Sequence, residues 1–192
     1  MNTDSKFYKS IAWLALATGA LLMIPLIAMQ YTDEVVWTLS DFIFAGTLLF
    51  GTGFTYKFIT RKSGKIVYRV VVGFALFTGL FLIWTNGAVG IIGSENNEIN
   101  LLYFGVIAVG IIGAFIARFQ SERMVFTLFA MALTQLLITV IALFTGMHQL
   151  PGSSVYEILA VNGFFIMLFV LSALLFRYAA QEQSALNENS AD

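Results

Sequence analysis

Six long apolar runs separated by short polar stretches organise the chain. They cover Ile11–Met29, Trp37–Phe58, Val67–Ile92, Leu101–Phe119, Met124–Phe144 and Val155–Phe176. Each approaches or exceeds the ~20 residues that a helix rising 1.5 Å per residue needs to cross a hydrocarbon layer ~30 Å thick. The separators are Gln30–Val36, Ile59–Ile66, Gly93–Asn100, Gln120–Arg123 and Thr145–Ser154. Connections this brief make successive helices antiparallel neighbours. The pattern predicts an all-α, polytopic membrane protein, a six-helix up-down transmembrane bundle forming one domain over residues 1–178. The last stretch, 179–192, is rich in Gln, Asn, Ser and Ala, and reads as a polar, disordered tail or a frayed extension of the sixth helix. The first run is longer than the apolar region of a cleaved leader and has no small-x-small site after it, so it reads as a retained helix.

Composition strengthens this picture. Of 192 residues, 59% are hydrophobic and 11% charged, and mean hydropathy is +0.86. A soluble domain of this length would carry roughly 25% charged residues to cover its surface. A lipid-facing surface removes that need. A net charge of −1 offers no attraction for nucleic acid. The absence of cysteine excludes disulfides, thiolate metal sites, iron–sulfur clusters and cysteine nucleophiles together.

Charge then sets an orientation. The ten Lys and Arg are Lys6 and Lys9; Lys57, Arg61, Lys62, Lys65 and Arg69; Arg118 and Arg123; and Arg177. All fall at one set of helix ends. The opposite ends carry Asp33, Glu34, Asp41, Glu95, Glu98 and Glu157. Because Lys and Arg resist translocation, both termini are expected in the cytoplasm. The cluster Arg61, Lys62 and Lys65 reads first as a topology anchor and second as a site for anionic lipid headgroups.

In lipid, small and polar residues mark the faces that meet other helices. At about 100° per residue, the second run gathers Thr38, Asp41, Ala45, Thr52 and Thr55 in one arc. The fourth gathers Asn100, Tyr103, Gly110, Ala114 and Ala117; the fifth Thr127, Ala130 and Thr134, with Thr145 beyond its end. The sixth aligns Asn162 with Phe165, Phe169, Ala173 and Phe176. Ordinary packing explains these faces, and a polar path through the bundle is the functional alternative. Pro25 should kink the first helix. The third run is longer than a span requires, so it tilts or breaks at Asn86–Gly87. Gly87, Gly90 and Gly93 would allow close backbone approach there.

Asp41 is the sharpest single residue. It lies ~24 Å from Lys57 along the helix, about a turn inside the boundary set by Trp37. A carboxylate inside a membrane is costly and is by default a functional hypothesis, whereas a cap on its own helix is the plainer alternative. The hairpin end from Trp84 and Asn86 to Glu95 and Asn100 is dense in amide and carboxylate groups. With Asp41 and Asn162 these form a candidate polar pocket; a solvated turn with capping asparagines accounts for the same residues. Gln135, ~18 Å from Arg123, sits near mid-membrane and reads as interhelical glue or as cavity lining. His148, the sole histidine, reads as a surface residue.

Intramembrane enzymes assemble paired carboxylates, a serine with its base, or a metal set. None is legible here: no catalytic residue, cofactor site or metal site is assigned, and an enzyme is disfavoured. The stretch from Trp84-Thr-Asn-Gly through Ser94-Glu-Asn-Asn and Asn100-Leu-Leu-Tyr-Phe-Gly105 to Ala117-Arg-Phe119 resembles a group of small bacterial inner-membrane proteins of unassigned function. The resemblance covers mainly residues 84–143. It implies a bacterial inner (plasma) membrane and carries over no site, cofactor or partner. Two functions fit the residues: transport or permeation of a small solute or ion through an outward-facing polar pocket, with the lipid bilayer as surroundings and a homo-oligomer where six helices cannot enclose a path; or a non-catalytic accessory or assembly subunit meeting a membrane partner.

Overall fold

The computed structural model describes residues 3–61, 63 and 65–188, and the regular structure in them is helical throughout. The six long helices are α1 (Thr3–Tyr31), α2 (Leu39–Thr60), α3 (Ile66–Ala88), α4 (Leu102–Ile116), α5 (Ser121–Phe144) and α6 (Val155–Glu188), with short 3-10 turns at Glu98–Leu101 and Met147–Gln149. All six are long and apolar enough to cross a membrane, the fourth counted with its preceding 3-10 turn as Glu98–Ile116. The chain falls into two compact units, Met1–Arg61 and Lys62–Asp192.

The first unit is the pair α1 and α2. Glycine makes their contact possible: a Cβ built on Gly53 would come within 2.4 Å of Leu14, and one on Gly46 within 3.2 Å of Leu22. Most of α1 is exposed and most of α2 half-buried, and Ala45 and Thr60 are the buried residues of α2. Asp41 and Thr38 are exposed.

The second unit is built round α6, which packs against α5 and α3 while α4 packs against α5. The buried stripe of α6 runs Ile158, Asn162, Phe165, Phe169, Ala173 and Phe176, the three-and-four spacing of one helix face. Two α3 rings meet it, Phe81 with Phe165 at 5.6 Å and Tyr68 with Phe176 at 6.3 Å between centroids. Between α4 and α5 the small residues do the work, since a Cβ on Gly110 would strike Met131 at 2.8 Å and one on Gly113 would strike Thr127 at 2.5 Å.

Several boundaries and faces differ from those the apolar pattern predicts. α3 stops at Ala88 rather than Ile92, one residue beyond Asn86–Gly87, because the following backbone turns at Gly90, φ +74°. Gly90 and Gly93 (φ +70°) therefore serve a turn rather than a helix–helix approach. α1 starts earlier than Ile11 and contains Pro25. α6 continues to Glu188, so the predicted tail is helical that far. Ala, Gln and Glu are good helix formers, and Ala179 and Ala180 are buried, which anchors the extension. Residues 189–192 lie outside the described residues. On α5, Thr127 is buried but Ala130 is exposed and Thr134 half-buried; the inward face runs instead through Met131, Gln135, Ile138 and Ala142. Thr134 bonds back to the Ala130 carbonyl at 2.8 Å, which satisfies its hydroxyl without a second helix.

Among the described residues, the α4–α5 connection is the one place where non-glycine residues adopt left-handed backbone, Arg118 at φ 50° and Phe119 at φ 57°. Tyr68 on α3 braces it, donating its hydroxyl to the Phe119 carbonyl at 2.7 Å.

Candidate polar site

Two polar assemblies lie in the second unit, one at the end where α3 closes and α4 opens, the other deeper among α4, α5 and α6. The first is organised by Asn100, which is 3% exposed. Its Oδ1 accepts from the backbone N–H of Ile91 at 3.2 Å and of Ile92 at 3.0 Å. Its Nδ2 donates to the carbonyls of Ile92 at 3.2 Å and Ser94 at 2.8 Å. One side chain thus supplies the hydrogen bonds that a continuing α3 would have made, and the chain can fold back with Ile91 and Ile92 buried. Asn97 caps the 3-10 turn, accepting from Ile99 N–H at 3.3 Å, and Gly93 N–H donates to Ser153 Oγ at 3.1 Å. Asn86, also buried, donates from Nδ2 to the Asn100 carbonyl at 3.0 Å.

The second assembly begins one turn further along. Tyr103 donates its hydroxyl to Asn162 Oδ1 at 2.9 Å, and Gln135 Nε2 donates to the same oxygen at 3.0 Å. Asn162 Nδ2 donates to the Ile158 carbonyl of its own helix at 2.9 Å. Gln135 and Asn162 are fully buried and Tyr103 nearly so. Asn162 lies ~10 Å along α6 from Val155, and Gln135 ~13 Å back along α5 from Phe144. Towards the other end of α6 follow the buried rings of Phe165, Phe169 and Phe176. The buried amides Asn86, Asn100, Gln135 and Asn162 therefore lie in one half of this unit's core, and the buried rings of α6 lie mostly in the other.

The bonding fixes which amide atom points where. Only a donor can face the Ile158 carbonyl, so Asn162 turns its oxygen to Tyr103 and Gln135. Only the nitrogen of Gln135 can meet that oxygen. Gln135 Oε1 is left buried without a hydrogen-bond partner. The same logic at the Asn100 carbonyl leaves Asn86 Oδ1 buried and unpartnered.

The residues predicted to share a pocket separate as follows. Asn86 and Asn100 are bonded to each other. Asn162 joins Gln135 instead, through a contact between α5 and α6. Glu95 is exposed and accepts from Asn96 Nδ2 at 3.1 Å. Trp84 is half-buried on α3. Asp41 belongs to the first unit, where its Oδ2 accepts from Thr38 N–H at 2.6 Å and Thr38 Oγ1 at 2.8 Å; it secures the start of α2. Tyr103, gathered with Asn100 on one arc of the fourth run, stood outside the candidate pocket, yet it is a member of the node. His148, expected at the surface, is half-buried in the second 3-10 turn. Arg61 lies over the Phe58 ring at 5.3 Å, Lys65 precedes the first turn of α3, and Lys62 lies outside the described residues.

Six apolar helices of spanning length make the chain a multi-pass integral membrane protein whose exposed side chains contact lipid. No family model, curated protein or solved structure matches it.

Proposed function

We propose that this protein resides in a bacterial inner membrane with both termini cytoplasmic, and that its second unit lets a small polar solute cross. The observation that carries this reading is the fully buried node of Tyr103, Asn162 and Gln135. A polar group in a membrane core is expensive unless it is satisfied or serves a pathway, and Gln135 presents an acceptor that no group among the described residues uses. Asn86 and Asn100 stand between that node and the chain connection, as successive polar groups would on an entry route. The rings of Phe165, Phe169 and Phe176 beyond the node supply a closure. The cations at alternate helix ends support the orientation, which puts the polar half on the outer side. Arg61, held over Phe58, is placed in its cluster to meet a lipid phosphate.

Purified protein reconstituted into liposomes tests the reading. Release or uptake of at least one small polar solute above that of protein-free vesicles is expected. Permeation no faster than in empty vesicles, for ions and neutral solutes alike, overturns it.

A second reading, an accessory subunit, has its own observation. Nothing lies within 4 Å of a Cβ built on Gly19, Gly51, Gly105 or Gly163, and open glycines in membrane helices admit a close partner helix. Isolation in mild detergent decides it: a stoichiometric membrane partner, or a second copy of this chain, would be retained.

A further inference from the structure

We infer that the Tyr103–Asn162–Gln135 node binds a small uncharged molecule bearing an N–H or O–H donor, and that the second unit discriminates against metal and ammonium cations. The inference deepens the proposed permeation and rests on it.

Three features lead to this ligand class. The node contains no ionised group: its side chains are a phenol and two amides, and they bond to one another and to the Ile158 carbonyl. A unit charge entering a fully buried site without a countercharge is heavily penalised, whereas a neutral donor needs only a matching acceptor. Next, the free acceptors are too few to replace a hydration shell. A hard cation takes about six oxygens and an ammonium ion offers four donors. Asn162 Oδ1 already accepts from two donors, and Gln135 Oε1 is the single side-chain oxygen of the node with no partner. Asn86 Oδ1, the other unpartnered amide oxygen, belongs to the separate assembly around Asn100. Finally, the Gln135 acceptor is fixed in polarity. The Ile158 carbonyl sets the Asn162 amide, which sets that of Gln135, so the Gln135 amide cannot flip to present its nitrogen in place of the oxygen without losing the bond to Asn162. A buried acceptor with fixed polarity and no charge nearby selects for a donor and against a charge.

The same buried oxygens would be satisfied by water, itself an uncharged donor, so water belongs to the class tested. In stopped-flow measurements on proteoliposomes, water, formamide or urea should equilibrate faster than in protein-free vesicles, while Na⁺, K⁺ and NH₄⁺ should not. Gln135→Met, of similar volume but without an acceptor, should lower the protein-dependent neutral permeability about tenfold, the worth of one hydrogen bond. Gln135→Glu, neutral when protonated and then able to donate to Asn162 and to accept, should restore much of it. Cation flux through the wild-type protein with no neutral flux overturns the ligand class while leaving permeation standing. Flux of neither overturns both. The selectivity comparison uses the unaltered chain, so it decides the matter even where Gln135→Met fails to fold.

Discussion

The Tyr103 hydroxyl donates to Asn162 Oδ1 at 2.9 Å across 59 positions of sequence, and that oxygen is also the acceptor for Gln135. One amide oxygen therefore ties α4, α5 and α6 together. Replacing Asn162 by Leu strands two buried donors at once and should cost about 2–3 kcal/mol, whereas Tyr103→Phe removes one bond and should cost about 0.5–1 kcal/mol. Thermal unfolding in detergent measures both. The double variant should lose less than the sum, because the two residues share an interaction.

Asn100→Ala removes four hydrogen bonds to backbone groups of Ile91, Ile92 and Ser94 and leaves buried N–H groups without acceptors. A loss of about 3 kcal/mol or more is expected. Asn100→Asp should fare little better, since a carboxylate oxygen would then face two carbonyls. Hydrogen exchange localises the effect: the amides of Ile91 and Ile92 should lose protection while those in the middle of α5 keep theirs.

Two glycines should respond with opposite sign. At Gly90 an added Cβ would sit 2.6 Å from the backbone of Ser94 in a left-handed conformation, so Gly90→Ala should destabilise by well over ~1 kcal/mol. Gly105 lies inside α4 with open space at its Cβ, and Gly105→Ala should stabilise by about 0.4–1 kcal/mol. Melting temperatures of the two variants, compared in one detergent, check the pair.

Asp41→Ala should lower the melting temperature slightly through loss of the bonds to Thr38, and Asp41→Asn less, because its carbonyl oxygen can still accept. Neither should change solute permeation in liposomes. A marked fall in flux with Asp41→Asn and no fall with Gln135→Met would move the site to the first unit.

How much of this was legible beforehand differs between fold and site. The six spans follow from hydropathy, since the penalty for exposing backbone to lipid leaves a long apolar run little choice but helix. The ends were less legible because side-chain hydrogen bonds set them. Ile91 and Ile92 are as apolar as their predecessors, yet they leave the helix because Asn100, farther along the chain, accepts their N–H groups. The α5 face was misread at Ala130 and Thr134 because small size alone does not say which side of a helix meets α6. Gln135 was singled out by its depth, but its partner was not, since the pairing with Asn162 depends on how α5 and α6 lie against each other. Tyr103 was placed on one arc with Asn100 but left out of the candidate pocket, and a tyrosine near a membrane helix end also suits the interfacial belt.

The position of Asn162 in the chain has a consequence for biogenesis. α6 leaves the ribosome after α3, α4 and α5, and it brings the acceptor that Tyr103 and Gln135 share, together with the stripe of rings on which α3 and α5 close. Until it inserts, α3, α4 and α5 stand in the bilayer with a phenol and an amide awaiting that acceptor. The second unit is thus completed by its final element, and a chain truncated before Val155 would present those polar groups to lipid, where membrane proteases could recognise it as unfinished.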